Sequence, residues 1–203
     1  MAAVTAQMVK ELRDQTGAGP LDCKKALEEH DGDFEKAKEY LIERGLAKAA
    51  KKAGREASEG RIETYTHIGG RVGVMVEVNC ETDFVANTDQ FQELARDLAL
   101  QIAATNPQFI DVEDVPADVL EPVKEAFYAE AKEQGKPDNV IEKIVEGKLN
   151  KHLDEICLLR QPFVKDDEQT VQDVIVAAIA ELGENIMVSR FERFEIGEGA
   201  DEE

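Results

Sequence analysis

The side chains available for chemistry in this 203-residue chain are three histidines, three cysteines and 44 carboxylates. A metal site is recognisable in a sequence when such groups recur at short fixed spacing, two to four residues apart along a helix or a knuckle. His30, His67 and His152 stand far apart among polar neighbours and read as surface residues. Cys23, Cys80 and Cys157 are odd in number and equally scattered. They offer neither a disulfide framework nor a zinc spacing, and fit unpaired thiols in a reducing compartment. Gly17-Ala18-Gly19-Pro20 lacks the Lys-Ser/Thr ending of a phosphate loop and follows a helical pattern instead of a strand. No nucleophile elbow is present. Among so many Asp and Glu residues a chance carboxylate pair carries no information. The residues point away from catalysis, and they call for no cofactor or metal.

One stretch differs in kind. Asn79-Cys80-Glu81-Thr82-Asp83-Phe84-Val85-Ala86-Asn87-Thr88-Asp89 sets two apolar residues, Phe84 and Val85, in polar surroundings between a strand pattern and a helix pattern. Spacing leaves two readings open. Phe84 could fold back on the following helix as a hydrophobic staple. Alternatively, an exposed aromatic flanked by a carboxylate could enter a partner's pocket, as interface hot spots do.

The elements around this stretch predict an α+β fold. Residues 1–45 read as a bundle of three short helices, of the size of ubiquitin-associated modules. Thr5 caps the first, which carries Met8, Val9 and Leu12 inward and stops at Gly17. Pro20 opens the second, with Cys23, Ala26 and Leu27 on one face; Asp33 caps the third, with Phe34, Ala37 and Leu41 inward and Gly45 as terminator. Residues 46–60 form a connector rich in Ala and Lys. In the body, residues 61–199, Ile62, Thr64, Thr66 and Ile68 alternate with polar residues, Gly69-Gly70 supplies a two-residue turn, and Val72, Val74, Val76 and Val78 alternate on the return. A third strand is expected at Ile186–Ile196, where the alternation slips between Phe191 and Phe194 through a bulge or burial on both faces. Helices are expected at about 88–104, at about 121–134 and 138–156 as a projecting hairpin, and at about 170–182. The tail, residues 200–203, is acidic.

Charge narrows the partners. The formal net charge is −20, and it falls almost wholly after residue 60, so the body repels nucleic-acid phosphates and direct RNA or DNA binding is not expected. No apolar run approaches the roughly 18 residues of a membrane span. Met1–Lys10 lacks the basic start and apolar stretch of a signal peptide, which makes the cytosol the expected location.

Thr82-Asp83-Phe84-Val85 resembles the signature of the bacterial elongation factor Ts family. Val9-Lys10-Glu11-Leu12-Arg13, Thr16-Gly17-Ala18-Gly19 and Asp22-Cys23-Lys24-Lys25-Ala26-Leu27 resemble its N-terminal domain; Gln161-Pro162-Phe163-Val164 and Arg193-Phe194-Glu195-Ile196-Gly197-Glu198-Gly199 resemble its later segments. The resemblance runs in order over nearly the whole chain. It implies a nucleotide-exchange factor, itself no enzyme, that releases GDP from elongation factor Tu. The loop matching Thr82–Val85 would push in near the magnesium site of that GTPase and dislodge the ion. Phe84 would then be the wedge and Asp83 a hydrogen-bonding group, while Leu12, Arg13, Thr16 and Gly17 grip a second surface. The hairpin at 121–156 would match the family's projecting coiled coil. Two departures are expected from longer members: a second, similar β-half and a C-terminal helical module have no counterpart. Dimerisation, giving a 2:2 complex, would compensate. The competing readings are a ubiquitin-associated-type binding adaptor, which needs no wedge, and an enzyme of unknown class, which the absence of a convergent site opposes.

Overall fold

The structure, a computed structural model, describes residues 4–16, 18–135 and 137–198. Its first three helices begin where local chemistry satisfies their free N–H groups. The Thr5 hydroxyl accepts the Met8 N–H at 3.2 Å ahead of α1 (Ala6–Thr16). Pro20 occupies the first turn of α2 (Pro20–Glu29), and the Asp33 carboxylate accepts the Lys36 N–H at 3.2 Å to open α3 (Phe34–Ala50). Leu12, Cys23, Ala26, Leu27, Ala37 and Leu41 bury one another in a common core.

Next comes the hairpin of β1 (Glu59–Thr66) and β2 (Val72–Cys80), antiparallel with Thr66 opposite Gly73. The expected two-residue turn is wider. The His67 N–H still donates to Val72 O at 2.9 Å, so the loop has four residues, 68–71. Gly69 and Gly70 both take positive φ, 93° and 68°, which is where glycine is favoured. A one-turn helix, α4 (Asp83–Ala86), leads into α5 (Asp89–Thr105), whose cap is Thr88. The hairpin follows as α6 (Ala117–Glu133) and α7 (Asp138–Ile156). α6 starts four residues before the expected 121, with Pro116 at its cap, and it carries Pro122 inside the helix, where the missing N–H leaves the Asp118 carbonyl without its usual partner one turn on. Ala131, Ile141 and Val145 close its outer part, while Val115, Leu153, Ile156 and Cys157 close its base.

A short ladder, β3 (Pro162–Phe163) with β4 (Asp166–Thr170), was not expected from the pattern. The fully buried Gln101 of α5 pins it, donating to Pro162 O at 3.1 Å and accepting the Val164 N–H at 2.8 Å. α8 (Val171–Leu182) opens with Thr170 and Asp173 in a reciprocal capping box. β5 (Ile186–Glu195) then pairs antiparallel with β2, completing a sheet of order β1-β2-β5. The bulge in β5 lies at Ser189, between the pairs Glu77–Arg190 and Val78–Val188, earlier than the slip seen in the sequence. Past it, Phe191 turns inward and Phe194 outward.

The sheet buries one face, against α5, but β1 contributes its other set of side chains to that face. Arg61, Glu63 and Tyr65 sit on the inward side, with Arg61 and Glu63 paired at 2.7 Å, while Ile62 and Ile68 are exposed. Period two fixes which residues share a face, and packing decides which face is in. The other correction concerns Gly45, which does not end α3. It is buried where α3 crosses α8, and a Cβ there would stand 3.8 Å from Val176 Cγ1 and 3.9 Å from Ala180 Cβ. α3 therefore runs from the bundle core at Leu41 to the main core at Ala49.

Candidate partner-binding site

The strand-to-helix stretch forms a braced turn. Thr82 is extended at the cap of α4, and its hydroxyl accepts the Val85 N–H at 3.3 Å. The Asn87 side-chain amide donates to Asp83 O at 2.8 Å, and the Thr88 hydroxyl donates to Val85 O at 2.7 Å, which closes the single turn from its C-terminal side. One helical turn sends adjacent residues to different sides. Val85 and Ala86 enter the core beside Phe91 and Ile186, whereas Phe84 leaves 79% of its surface exposed. Phe84 is not folded back as a staple. Asp83, next to it, is exposed as well.

The N-terminal candidates reach the same side of the molecule. Arg13, half exposed, pairs with Glu181 near the end of α8 at 3.8 Å, and Gln90 at the start of α5 donates to the same carboxylate at 2.9 Å. Leu12 is fully buried in the bundle, and the Thr16 hydroxyl donates to Leu12 O at 2.6 Å. Gly17 lies outside the described residues. Thus Arg13 and the α4–α5 turn, far apart in sequence, converge on the last turn of α8. Leu12, expected to grip a partner, is instead fully buried in the bundle core, and Val85 is buried in the main core, because each is the inward-facing apolar residue of its helix.

Comparison with known proteins identifies the family. The family described as Elongation factor TS matches residues 47–198, most of the chain. The chain belongs to the elongation factor Ts family. It is 59% identical over 196 residues to the elongation factor Ts of Carboxydothermus hydrogenoformans, covering 97% of this chain and 90% of the relative. It is 58% identical over 196 residues to that of Caldanaerobacter subterraneus, covering 97% and 98%. Against the elongation factor Ts of Desulfosudis oleivorans the identity is 54% over 198 residues, covering 98% and 100%. Its role is that of a translation elongation factor in protein biosynthesis.

Within this elongation factor Ts fold, the residues that sequence reasoning missed are Glu181, Glu184 and Asn185. Each reaches a partner about a hundred positions away or more, and no local pattern announces such a contact. Asn185 is buried, and its amide donates to Arg55 O at 2.9 Å. Arg55 faces Glu81 at 3.4 Å. The Asn185 N–H, with the Arg55 guanidinium behind it, holds the Glu81 carboxyl below its ordinary value. Burial pushes the Cys80 thiol up, and the Glu184 carboxylate adds to the effect, so the thiol stays protonated and donates to Thr82 O at 3.2 Å. Among the described residues no group of three or more His, Cys, Asp or Glu could hold a metal ion, and no helix is long and apolar enough to cross a membrane.

Proposed function

We propose that this chain is the guanine-nucleotide exchange factor of elongation factor Tu, acting without a catalytic site of its own. The observation that carries the reading is Phe84, a large aromatic exposed at the tip of a turn fixed on both sides. Such a group in solvent gains nothing for the fold and suits a partner's pocket. Phe84 would enter the GTPase near its Mg²⁺, with Asp83 accepting a hydrogen bond from the displaced switch region. The ion bridges phosphate and protein oxygens, so a small displacement forfeits that charge pairing and loosens GDP. Residues 1–45, read as a ubiquitin-associated-like module, would grip a second surface through Arg13 and its neighbours Thr16 and Gly17, without the buried Leu12. The α6–α7 hairpin would supply a third contact. A cytoplasmic setting without nucleic-acid contact follows from the same partner and from the acidic body.

A homodimer, giving a 2:2 complex, belongs to this proposal. The outer face of the sheet leaves Ile62, Met75, Met187 and Phe194 exposed on one side of three adjacent strands. A second copy of the same face would cover them in a sandwich.

The test uses reciprocity. If the factor weakens GDP on elongation factor Tu, GDP must weaken the factor by the same ratio. Calorimetric titration should give tight binding to the nucleotide-free GTPase and much weaker binding to its GDP–Mg²⁺ form, with the gap narrowing when Mg²⁺ is removed. Catalytic amounts should also speed release of labelled GDP. Equal affinity for both forms would end the proposal, because a ligand without preference shifts nothing.

A further inference from the structure

The turn that presents Phe84 is held from the junction between α8 and β5. Glu184 Oε2 accepts the backbone N–H groups of Glu81 at 3.1 Å and Thr82 at 3.0 Å, and its Oε1 accepts the Thr82 hydroxyl at 2.7 Å. In the opposite direction, Glu81 Oε1 accepts the Asn185 N–H at 2.7 Å. Two segments 102 residues apart in sequence therefore latch onto each other through paired carboxylates.

The hydroxyl of Thr82 decides what this latch does. It has one proton, which goes to Glu184, and the lone pairs left on its oxygen point to the Val85 N–H as the cap of α4. A helix of four residues has no stability of its own. Its single turn is what sends Val85 inward and Phe84 outward. Apolar packing by Val85, Ala86 and Ile186 already anchors the chain below the turn, so the latch is not needed to hold the core together.

We infer that Glu184 is a positioning residue for nucleotide exchange, orienting the Thr82 hydroxyl and the Glu81–Thr82 backbone so that Phe84 is presented in one conformation. The inference rests on the wedge reading of Phe84 proposed above. Loss of the latch loosens the turn and leaves the Arg13 surface in place, so it acts on the exchange step more than on encounter.

The experiment is stimulated release of labelled GDP from elongation factor Tu, with the factor titrated to separate maximal rate from half-saturating concentration. Glu184→Ala should lower the maximal rate on the order of tenfold, the factor expected for losing charge-assisted hydrogen bonds that fix one geometry, with little change in half-saturation. Glu184→Gln keeps a single acceptor oxygen and should show a smaller loss in the same parameter. That variant also serves if the alanine variant proves unstable in thermal unfolding. The double variant Glu184→Ala, Phe84→Ala should be no slower than Phe84→Ala alone, since Glu184 works through Phe84. A parental maximal rate for Glu184→Ala beside a slow Phe84→Ala overturns this inference alone, as do losses that multiply in the double variant. A parental rate for Phe84→Ala overturns the wedge reading, and the inference with it.

Discussion

Truncating Phe84 separates a binding role from a packing role because the two predict opposite pairs of measurements. With 79% of its surface exposed, Phe84 has little burial to lose, so Phe84→Ala should cost the fold ~0.5 kcal/mol, against about 1.5–3 kcal/mol for a fully buried large apolar side chain. As a staple it would have cost about 3–5 kcal/mol on truncation. At an interface, hot-spot aromatics cost about 2 kcal/mol or more, which is roughly 30-fold in stimulated GDP release at subsaturating factor. Val85 supplies the internal control. It is buried in the main core, so Val85→Ala should lower stability by about 2 kcal/mol, while Phe84 stays available on any molecules that remain folded. Two assays decide the matter: urea or thermal unfolding for stability, and release of a fluorescent GDP from elongation factor Tu for exchange. A Phe84→Ala protein with parental stability and parental exchange would refute the reasoning. A protein that fails to fold would show that the exposure of Phe84 misleads.

Three further outcomes follow from the packing. Gly45→Ala should stabilise the chain by ~0.5–1 kcal/mol in a denaturant melt, because the helix gains a better former and the new Cβ meets Val176 and Ala180 at ordinary contact distance; a loss would show that α3 and α8 pack more closely than described. Cys23, Cys80 and Cys157 are buried, and burial raises all three thiols, so a thiol reagent at neutral pH should label none of them quickly until the protein is unfolded; fast native labelling of Cys80 would mean that the α4 junction opens. Because the folded Glu81 carboxyl lies below its ordinary 4.5, its stabilisation is complete above that value and disappears as pH falls through the depressed one. Glu81→Gln should therefore destabilise at neutral pH and converge with the parent in acid, and a gap independent of pH would sink the assignment.

What was legible in the sequence was local or periodic. Thr5, Asp33, Thr88 and Thr170 stand at the helix starts because a capping hydroxyl or carboxylate acts within three residues of itself. Ile141, Val145, Leu153 and Ile156 repeat on one side of α7 and are buried there. The same reasoning fails where identical residues serve two ends. A glycine at position 45 suits a helix stop and a helix crossing equally well, and only the facing Val176 and Ala180 distinguish them. Gly69 and Gly70 suit a two-residue turn as well as a four-residue loop, and the pairing of His67 with Val72 decides. Ile62 alternates correctly but on the exposed side, since the inward side of β1 is filled by the Arg61–Glu63 pair and Tyr65. At the candidate site the motif itself was readable, whereas Glu181 and Glu184 reach it from far along the chain.

The acidic residues around α4 have a physical rationale beyond solubility. The wedge proposed at Phe84 would work only if it arrived in one conformation, since every rotamer and backbone state given up on binding subtracts from affinity. A flexible loop could expose Phe84 but could not aim it. Four residues of helix cannot aim it alone either, because nucleating a turn is unfavourable in isolation. The chain resolves this by anchoring the turn to three places that fold for other reasons. The core beneath takes Val85 and Ala86, the start of α5 takes the Thr88 cap, and the α8–β5 junction reaches over with Glu184. A carboxylate suits that last position better than a neutral acceptor, since it takes two N–H groups and a hydroxyl at once and strengthens each bond by its charge. Conformational order at Phe84 is thereby set by contacts within this chain, from Glu184, Thr88, Val85 and Ala86.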